Sequence, residues 1–207
     1  MGIPVLIIGK SGTGKSTSLR NFKSDEVGII NVLNKPLPFR TDIKPYHCDN
    51  YEKIKQVIAD SKVKSIIIDD AGYLITNHFM NKHSKANAGN AVYAMYNELA
   101  DNFFKLIEFC KTVEEDKIIY FIMHEDRNDF GELKPKTIGK LLDEKVCIEG
   151  LFTIVLRSVF KDRKYLFLTG KEDELDLQKS PIDMFKDLKI DNDLKNVDNC
   201  IREYYGV

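Results

Sequence analysis

Gly9-Lys10-Ser11-Gly12-Thr13-Gly14-Lys15-Ser16 is the stretch on which the fold turns. It fits the pattern G-x-x-x-x-G-K-[ST] of a phosphate-binding loop. Its flanks agree with that pattern. Ile3 to Ile8 is an apolar run of strand length, interrupted only by Pro4. Thr17, Ser18, Leu19 and Arg20 read as the opening of a helix. Glycines let backbone N–H groups turn toward phosphate oxygens with no side chain in the way. A helix N-terminus would add partial positive charge. The motif assigns Gly9, Lys10, Ser11, Gly12, Thr13, Gly14, Lys15, Ser16 and Thr17 to the phosphates of a nucleotide. Lys15 would reach the β- and γ-phosphates, and Ser16 would ligate Mg²⁺. The competing interpretation is a glycine-rich turn that binds nothing. The intact motif between a strand and a helix argues against it.

The chain as a whole sets limits. At 207 residues it is long enough for one α/β domain with a substantial core. A hydrophobic fraction of 43% and a charged fraction of 30% place it among globular chains. No apolar run approaches the roughly 20 residues of a membrane span. The N-terminus enters the first strand without a basic region or a cleavage site. Leu6 stands where myristoylation after Gly2 needs Ser or Thr. These features predict a cytoplasmic protein with no membrane partner. The net charge of −1 gives no overall attraction to nucleic acid, so such binding would need a local patch. Cys48, Cys110, Cys147 and Cys200 lie far apart with no C-x-x-C pair. Reduced thiols are expected, not zinc or disulfides. Residues 1–170 read as the core, and 171–207, more polar, as an appendage packed on it.

Downstream of the loop, Val27 to Val32 predicts a second strand and Tyr46 to Asp49 a short one. Between them, Asn34 to Pro45 reads as an irregular loop. Ile54, Val57 and Ile58 have helical spacing within Tyr51 to Ser61. Ser65-Ile66-Ile67-Ile68-Asp69-Asp70 is different in kind. Its isoleucines suit a strand buried on both faces of a parallel sheet. A carboxylate at the end of such a strand lies where open α/β sheets bind ligands. Alone the pattern is weak, because aspartates often end strands as turn residues. After a phosphate loop it reads as a Walker B strand, with Asp69 holding Mg²⁺ through its water shell. Asp70 is either a second acid that orients the attacking water or a helix N-cap.

Gly72 to Gly89 reads as a long connector with basic and aromatic residues. Val92, Met95, Tyr96, Leu99, Phe103, Leu106 and Ile107 predict a helix over Asn90 to Val113, with this stripe in the core. Lys117 to Met123 is a further buried strand, ending in His124. That histidine is either a sensor of the γ-phosphate or the first residue of a surface loop. Asp126 to Lys136 reads as a charged loop and Thr137 to Lys145 as a short helix. Leu151 to Phe160 and Tyr165 to Thr169 predict an antiparallel hairpin around a polar turn. A final amphipathic helix is expected from Asp193 to Tyr205.

Several branches of phosphate-loop proteins are disfavoured. The arginine-rich lid of small kinases is missing. Asn34-Lys35-Pro36-Leu37 and Asn81-Lys82-His83-Ser84 lack the aspartate of a GTPase base-reading motif, and no Leu-Ser-Gly-Gly-Gln signature is present. The expected fold is therefore an α/β RecA-like core. It has a mostly parallel sheet flanked by helices, and a C-terminal antiparallel hairpin. The loop, Ile-Ile-Ile-Asp-Asp, the strand ending in His124, the hairpin with its basic turn and Pro181 to Phe185 together resemble the small phage-encoded ATPases of the RecA-core or AAA-like type. Some members are linked to single-strand annealing. The resemblance implies ATP, Mg²⁺, single-stranded DNA, self-assembly and contact with phage replication or recombination proteins, in the host cytoplasm. RecA-like proteins usually carry a catalytic glutamate just after the second core strand. Asn31-Val32-Leu33-Asn34-Lys35 has no acid there. Either Asp70 or Glu125 substitutes, or hydrolysis is slow.

Two functional readings follow. One is a DNA-associated ATPase with Lys15, Asp70 and His124 as catalytic residues. A neighbouring subunit would supply a basic residue, with Arg157, Arg163 and Lys164 as candidates. Phe79, Lys82, Lys85 and Arg127 would contact DNA, with Phe79 or Phe130 stacking on bases. Ordinary surface charge is the competing interpretation of each basic residue. The other reading is a nucleotide-gated interaction module with little turnover, of the helicase- or recombinase-loader kind.

Overall fold

The computed structural model describes residues 1–85 and 89–207. Among these residues a nine-stranded sheet forms the middle layer. Its strands are β1 (Ile3–Gly9), β2 (Val27–Asn31), β3 (Tyr46–His47), β4 (Ser65–Asp69), β5 (Ile118–Arg127), β6 (Leu133–Pro135), β7 (Ile154–Lys161), β8 (Lys164–Leu168) and β9 (Lys189–Asp191). The spatial order is β3-β2-β4-β5-β1-β7-β8-β9, with β6 paired to the end of β5. The strands from β3 to β7 are parallel, and β8 and β9 are antiparallel additions. The result is a mostly parallel α/β sheet flanked by helices, with the antiparallel hairpin at its C-terminal side.

Alternation along each strand explains the layers. Leu6, Ile8, Ile66, Ile68, Ile119 and Phe121 face one way. There they pack on α1 (Tyr51–Asp60), α2 (Gly72–Lys82) and α3 (Asn90–Thr112). Val5, Ile7, Ile67, Ile118 and Tyr120 face the other way. They meet Leu19, Phe22 and the Leu194, Val197 and Ile201 stripe of α4 (Leu194–Tyr205). A period of two thus buries both faces of every central strand. Asp198 on α4 adds a buried polar tie, accepting hydrogen bonds from Ser65 and Tyr120 at 2.8 Å each. Residues 171–207 contribute β9 to the sheet and α4 to this second face.

Local structure departs from the sequence expectation in five places. The segment after the loop is only a six-residue 3-10 helix, Ser16–Asn21. Phe22 turns extended and packs inward, so no long helix axis points at the loop. Gly72–Lys82 is α-helical, followed by a 3-10 turn His83–Lys85, where a connector was expected. Leu74 and Ile75 supply the buried anchor, which outweighs weak periodicity. The remainder of that connector, residues 86–88, lies outside the described residues. The charged loop expected over Asp126 to Lys136 is part of a hairpin, because β5 runs on to Arg127 and pairs with β6. The helix expected over Thr137 to Lys145 is reduced to one π-turn, Leu141–Lys145. β9 had no sequence signature, being three residues at a sheet edge.

Candidate nucleotide site

The loop from Gly9 to Ser16 lies at the C-terminal end of β1, between β5 and β7. Gly12 and Gly14 take φ of 79° and 93°, a region closed to most side chains. Lys15 is almost fully buried. Its Nζ donates to the carbonyls of Gly9 and Lys10 at 2.8 Å each, which curls the ammonium inside the loop. Burial lowers its pKa to about 8, against the pull of Asp70 and Asp69. Thr13 Oγ1 donates to Lys10 O at 2.9 Å and closes the loop on itself.

The carboxylates come from the end of β4. Ser16 Oγ donates to Asp69 Oδ1 at 2.9 Å, joining positions far apart in sequence. Desolvation, followed by repulsion from Asp70, raises the Asp69 pKa to about 6, while the Ser16 hydrogen bond opposes the rise. Asp70 is buried and holds a left-handed φ of 61°. For an aspartate this is tolerated but uncommon, and such positions cluster at functional sites. Asp70 does not take the N-cap position of α2, which Ala71 occupies. Its Oδ2 lies 2.5 Å from Lys35 Nζ, and its Oδ1 lies 3.8 Å from His124 Nε2. Desolvation works against the Lys35 ammonium, but the hydrogen bond and charge of Asp70 raise its pKa overall.

His124 is level with Gly9 in the sheet register, beside the loop. It sits on a strand, not at the start of a surface loop. Its ring meets Tyr73 edge-on, with centroids 6.0 Å apart. Desolvation and then the nearby Lys15 lower its pKa, so the neutral imidazole is favoured. A cleft of about 610 Å³ opens here, with Lys10, Lys35, Tyr73, His124 and Lys136 among its walls.

The other flank of the loop is built by β7, β8 and the turn before α4. Ser158 Oγ donates to Thr13 O at 2.7 Å, and Asn192 Nδ2 donates to Ser158 Oγ at 3.2 Å. Arg20 donates to the Asn192 carbonyl at 2.6 Å. Lys35, Ser158 and Asn192 were not among the residues singled out from sequence. Lys35 stands in a segment whose expected signal is an acid, and the other two carry no local motif.

The basic residues fall into distinct settings. Arg157 is held inside its own chain. Nε and Nη2 bond Glu125 at 2.8 and 2.9 Å, and Nη1 lies 3.4 Å from Asp176. The Glu125 hydrogen bond raises the pKa of the guanidinium. Glu125 is thereby engaged as well, and Asp70, itself paired with Lys35, is the acid that lies beside His124. Arg163 and Lys164 are exposed in the β7–β8 turn. Phe79 is partly buried, stacked between His83 and Tyr96 at 5.0 and 5.9 Å. Lys82 bonds both oxygens of Glu98 at 2.6 and 2.8 Å. The side chain of Lys85 lies outside the described residues. Arg127 donates to Gly131 O at 2.5 Å in the β5–β6 turn, where Phe130 is 84% exposed.

Magnesium fits the donor set as a shared ion. Among the described residues no three His, Cys, Asp or Glu side chains form a metal cage. Mg²⁺ characteristically takes one or two protein oxygens, with water and phosphates completing its shell. The Ser16–Asp69 pair offers that partial set.

Comparison with known proteins adds the family. A model of the AAA domain family matches residues 1–181. No curated protein matches the chain. Among solved structures, the ATPase DotB of Legionella pneumophila is similar at 10% identity, with a TM-score of 0.36. The match covers 83% of this chain and 46% of that one, so the chain spans less than half of DotB.

Proposed function

The chain belongs to the AAA domain family, and on that premise we propose that it binds ATP with Mg²⁺ and hydrolyses it slowly. The observation that carries this reading is the 2.9 Å bond from Ser16 Oγ to Asp69 Oδ1, beside a curled, buried Lys15. Mg²⁺ would supply charge neutralisation and orientation at the terminal phosphates. Lys15 releases the loop carbonyls and turns to the phosphate oxygens. Asp70 accepts a hydrogen bond from the attacking water, and neutral His124 senses the terminal phosphate. Slow turnover follows from the chemistry after β2. No carboxylate stands there, and Lys35 instead pairs with Asp70.

That same ion pair favours a second reading, a nucleotide-gated interaction module. In it, bound nucleotide displaces Lys35 and reorders the loop after β2, with turnover incidental. Single-stranded DNA, self-assembly and phage recombination or replication partners extend the first reading. The exposed Phe130 with neighbouring Arg127, and the Arg163–Lys164 turn, support such contacts chemically. Phe79 and Lys82 support them less, since both are engaged within the chain.

The test is ATP hydrolysis at several protein concentrations, with and without single-stranded DNA. Lys15→Ala should lower turnover about 100-fold or more. Turnover that rises with DNA and with protein concentration supports the assembling ATPase. ATP binding with turnover that ignores both would leave the interaction module.

A further inference from the structure

On the flank of the loop away from Asp69, two aromatic rings stand in solvent. Phe160 on β7 and Tyr165 on β8 are directly opposed across the hairpin. Their centroids are 4.8 Å apart, tilted by 48°. Phe160 is 53% exposed and Tyr165 44%. Tyr165 also touches the phosphate loop. A Cβ placed on Gly14 would fall 2.8 Å from Tyr165 Cδ1 and 3.1 Å from Asn192 Oδ1. The absent side chain of Gly14 is therefore what lets the ring lie against the loop. Asn192 is 1% exposed, and its Oδ1 has no hydrogen-bond partner among the described residues. A buried acceptor left unpaired is costly, and such groups are rare in native proteins.

We propose that Phe160 and Tyr165 form the nucleobase platform of the site, with Asn192 Oδ1 as an acceptor beside it. The direction of a bound triphosphate is fixed by the chain. Ser16 reaches toward Asp69, and Asp69, Asp70 and His124 all belong to β4 and β5 or the turn between β4 and α2. The terminal phosphate belongs on that flank. The nucleoside must leave by the opposite one, where β7 and β8 continue past the loop. A π-face stacks on a base whatever its sequence identity. An exocyclic amine gives Asn192 Oδ1 the donor it lacks. The ligand class is a purine nucleoside triphosphate bearing such an amine, adenine foremost. This assignment rests on the ATP reading of the loop.

The chain contains no tryptophan, so Phe160→Trp introduces a single local fluorophore and leaves Tyr165 on Gly14. This variant would be titrated with ATP·Mg²⁺ and with tripolyphosphate·Mg²⁺. Calorimetry would give the affinities of the wild type, Tyr165→Ala and Tyr165→Phe for both ligands. The proposal expects ATP to quench the tryptophan and tripolyphosphate to leave it unchanged. It also expects Tyr165→Ala to weaken ATP about tenfold, with tripolyphosphate unaffected, and Tyr165→Phe to keep wild-type affinity. An unaltered ATP affinity in Tyr165→Ala overturns the platform. So does a tryptophan signal blind to bound ATP. Both results leave the phosphate site standing. A wild type that binds neither ligand overturns the ATP reading, and the platform with it.

Discussion

The two flanks of β1 are made of different chemistry. Toward β4 and β5 the phosphate loop faces Asp69, Asp70, Lys35 and His124, an assembly of charges. Toward β7 and β8 it faces Ser158, Asn192 and the ring of Tyr165, all neutral. The contrast separates labour. Charged groups lose solvation when buried, so a chain retains them where bond-making needs them. The shifted pKa values of Lys15, Asp69 and His124 are the signature of that cost. Amides and rings support the loop and shape its approach without burying a charge. Arg157 links the flanks, reaching from β7 over the end of β1 to Glu125 on β5.

Breaking that link should have the largest effect on stability. Arg157→Ala leaves Glu125 and Asp176 buried without their cation. The expected loss is about 3 kcal/mol, read as a lower denaturant midpoint at unchanged m-value. Mixing Arg157→Ala with Lys15→Ala chains should not restore ATP turnover. Restoration would make Arg157 a residue that acts on a neighbouring subunit.

Asp69→Asn sharpens the contrast from the charged side. A carboxyl whose folded pKa exceeds its unfolded value costs stability once ionised. For Asp69 that cost is absent below pH 3.8, grows as pH rises, and is complete above about 6. The variant should therefore match the wild type at pH 4. At pH 7.5 it should exceed it by about 2 kcal/mol, while losing Mg²⁺-dependent turnover. Thermal melts across this range check the sign. A variant less stable than wild type at pH 7.5 would mean that the Ser16 bond outweighs desolvation.

The smallest effect is expected at Lys35. Its side chain is more than half exposed, so water screens much of the attraction to Asp70. Lys35→Ala should cost about 1 kcal/mol. In an Asp70→Asn background the cost should largely vanish. A cycle with no coupling would show that the pair does not form in solution.

Legibility followed the range of the interactions. The hairpin was readable because its strands are adjacent in sequence and their alternation is local. The final helix was readable from its stripe and from Asp193, which caps it by accepting from Lys195 and Asn196. The stretch Gly72–Lys82 was not. It holds few apolar anchors, and its helicity depends on Leu74 and Ile75 meeting a sheet that the local sequence does not describe. The extension of β5 was missed for a related reason. A charged edge becomes strand only when β6 returns to pair with it.

The sequence by itself determined the glycine loop after β1, the doubly buried isoleucine strand that ends in Asp69, and the α/β class. Each is written in a short pattern whose chemistry is local: glycines for backbone turns, isoleucines for a doubly buried strand, an acid at its end. Tertiary structure alone decided which of the many charged residues are available. It placed Arg157 on Glu125, Lys82 on Glu98 and Lys35 on Asp70, and brought Tyr165 and Asn192 to Gly14. A side chain's partners across a sheet depend on strand order, and no local pattern encodes that order.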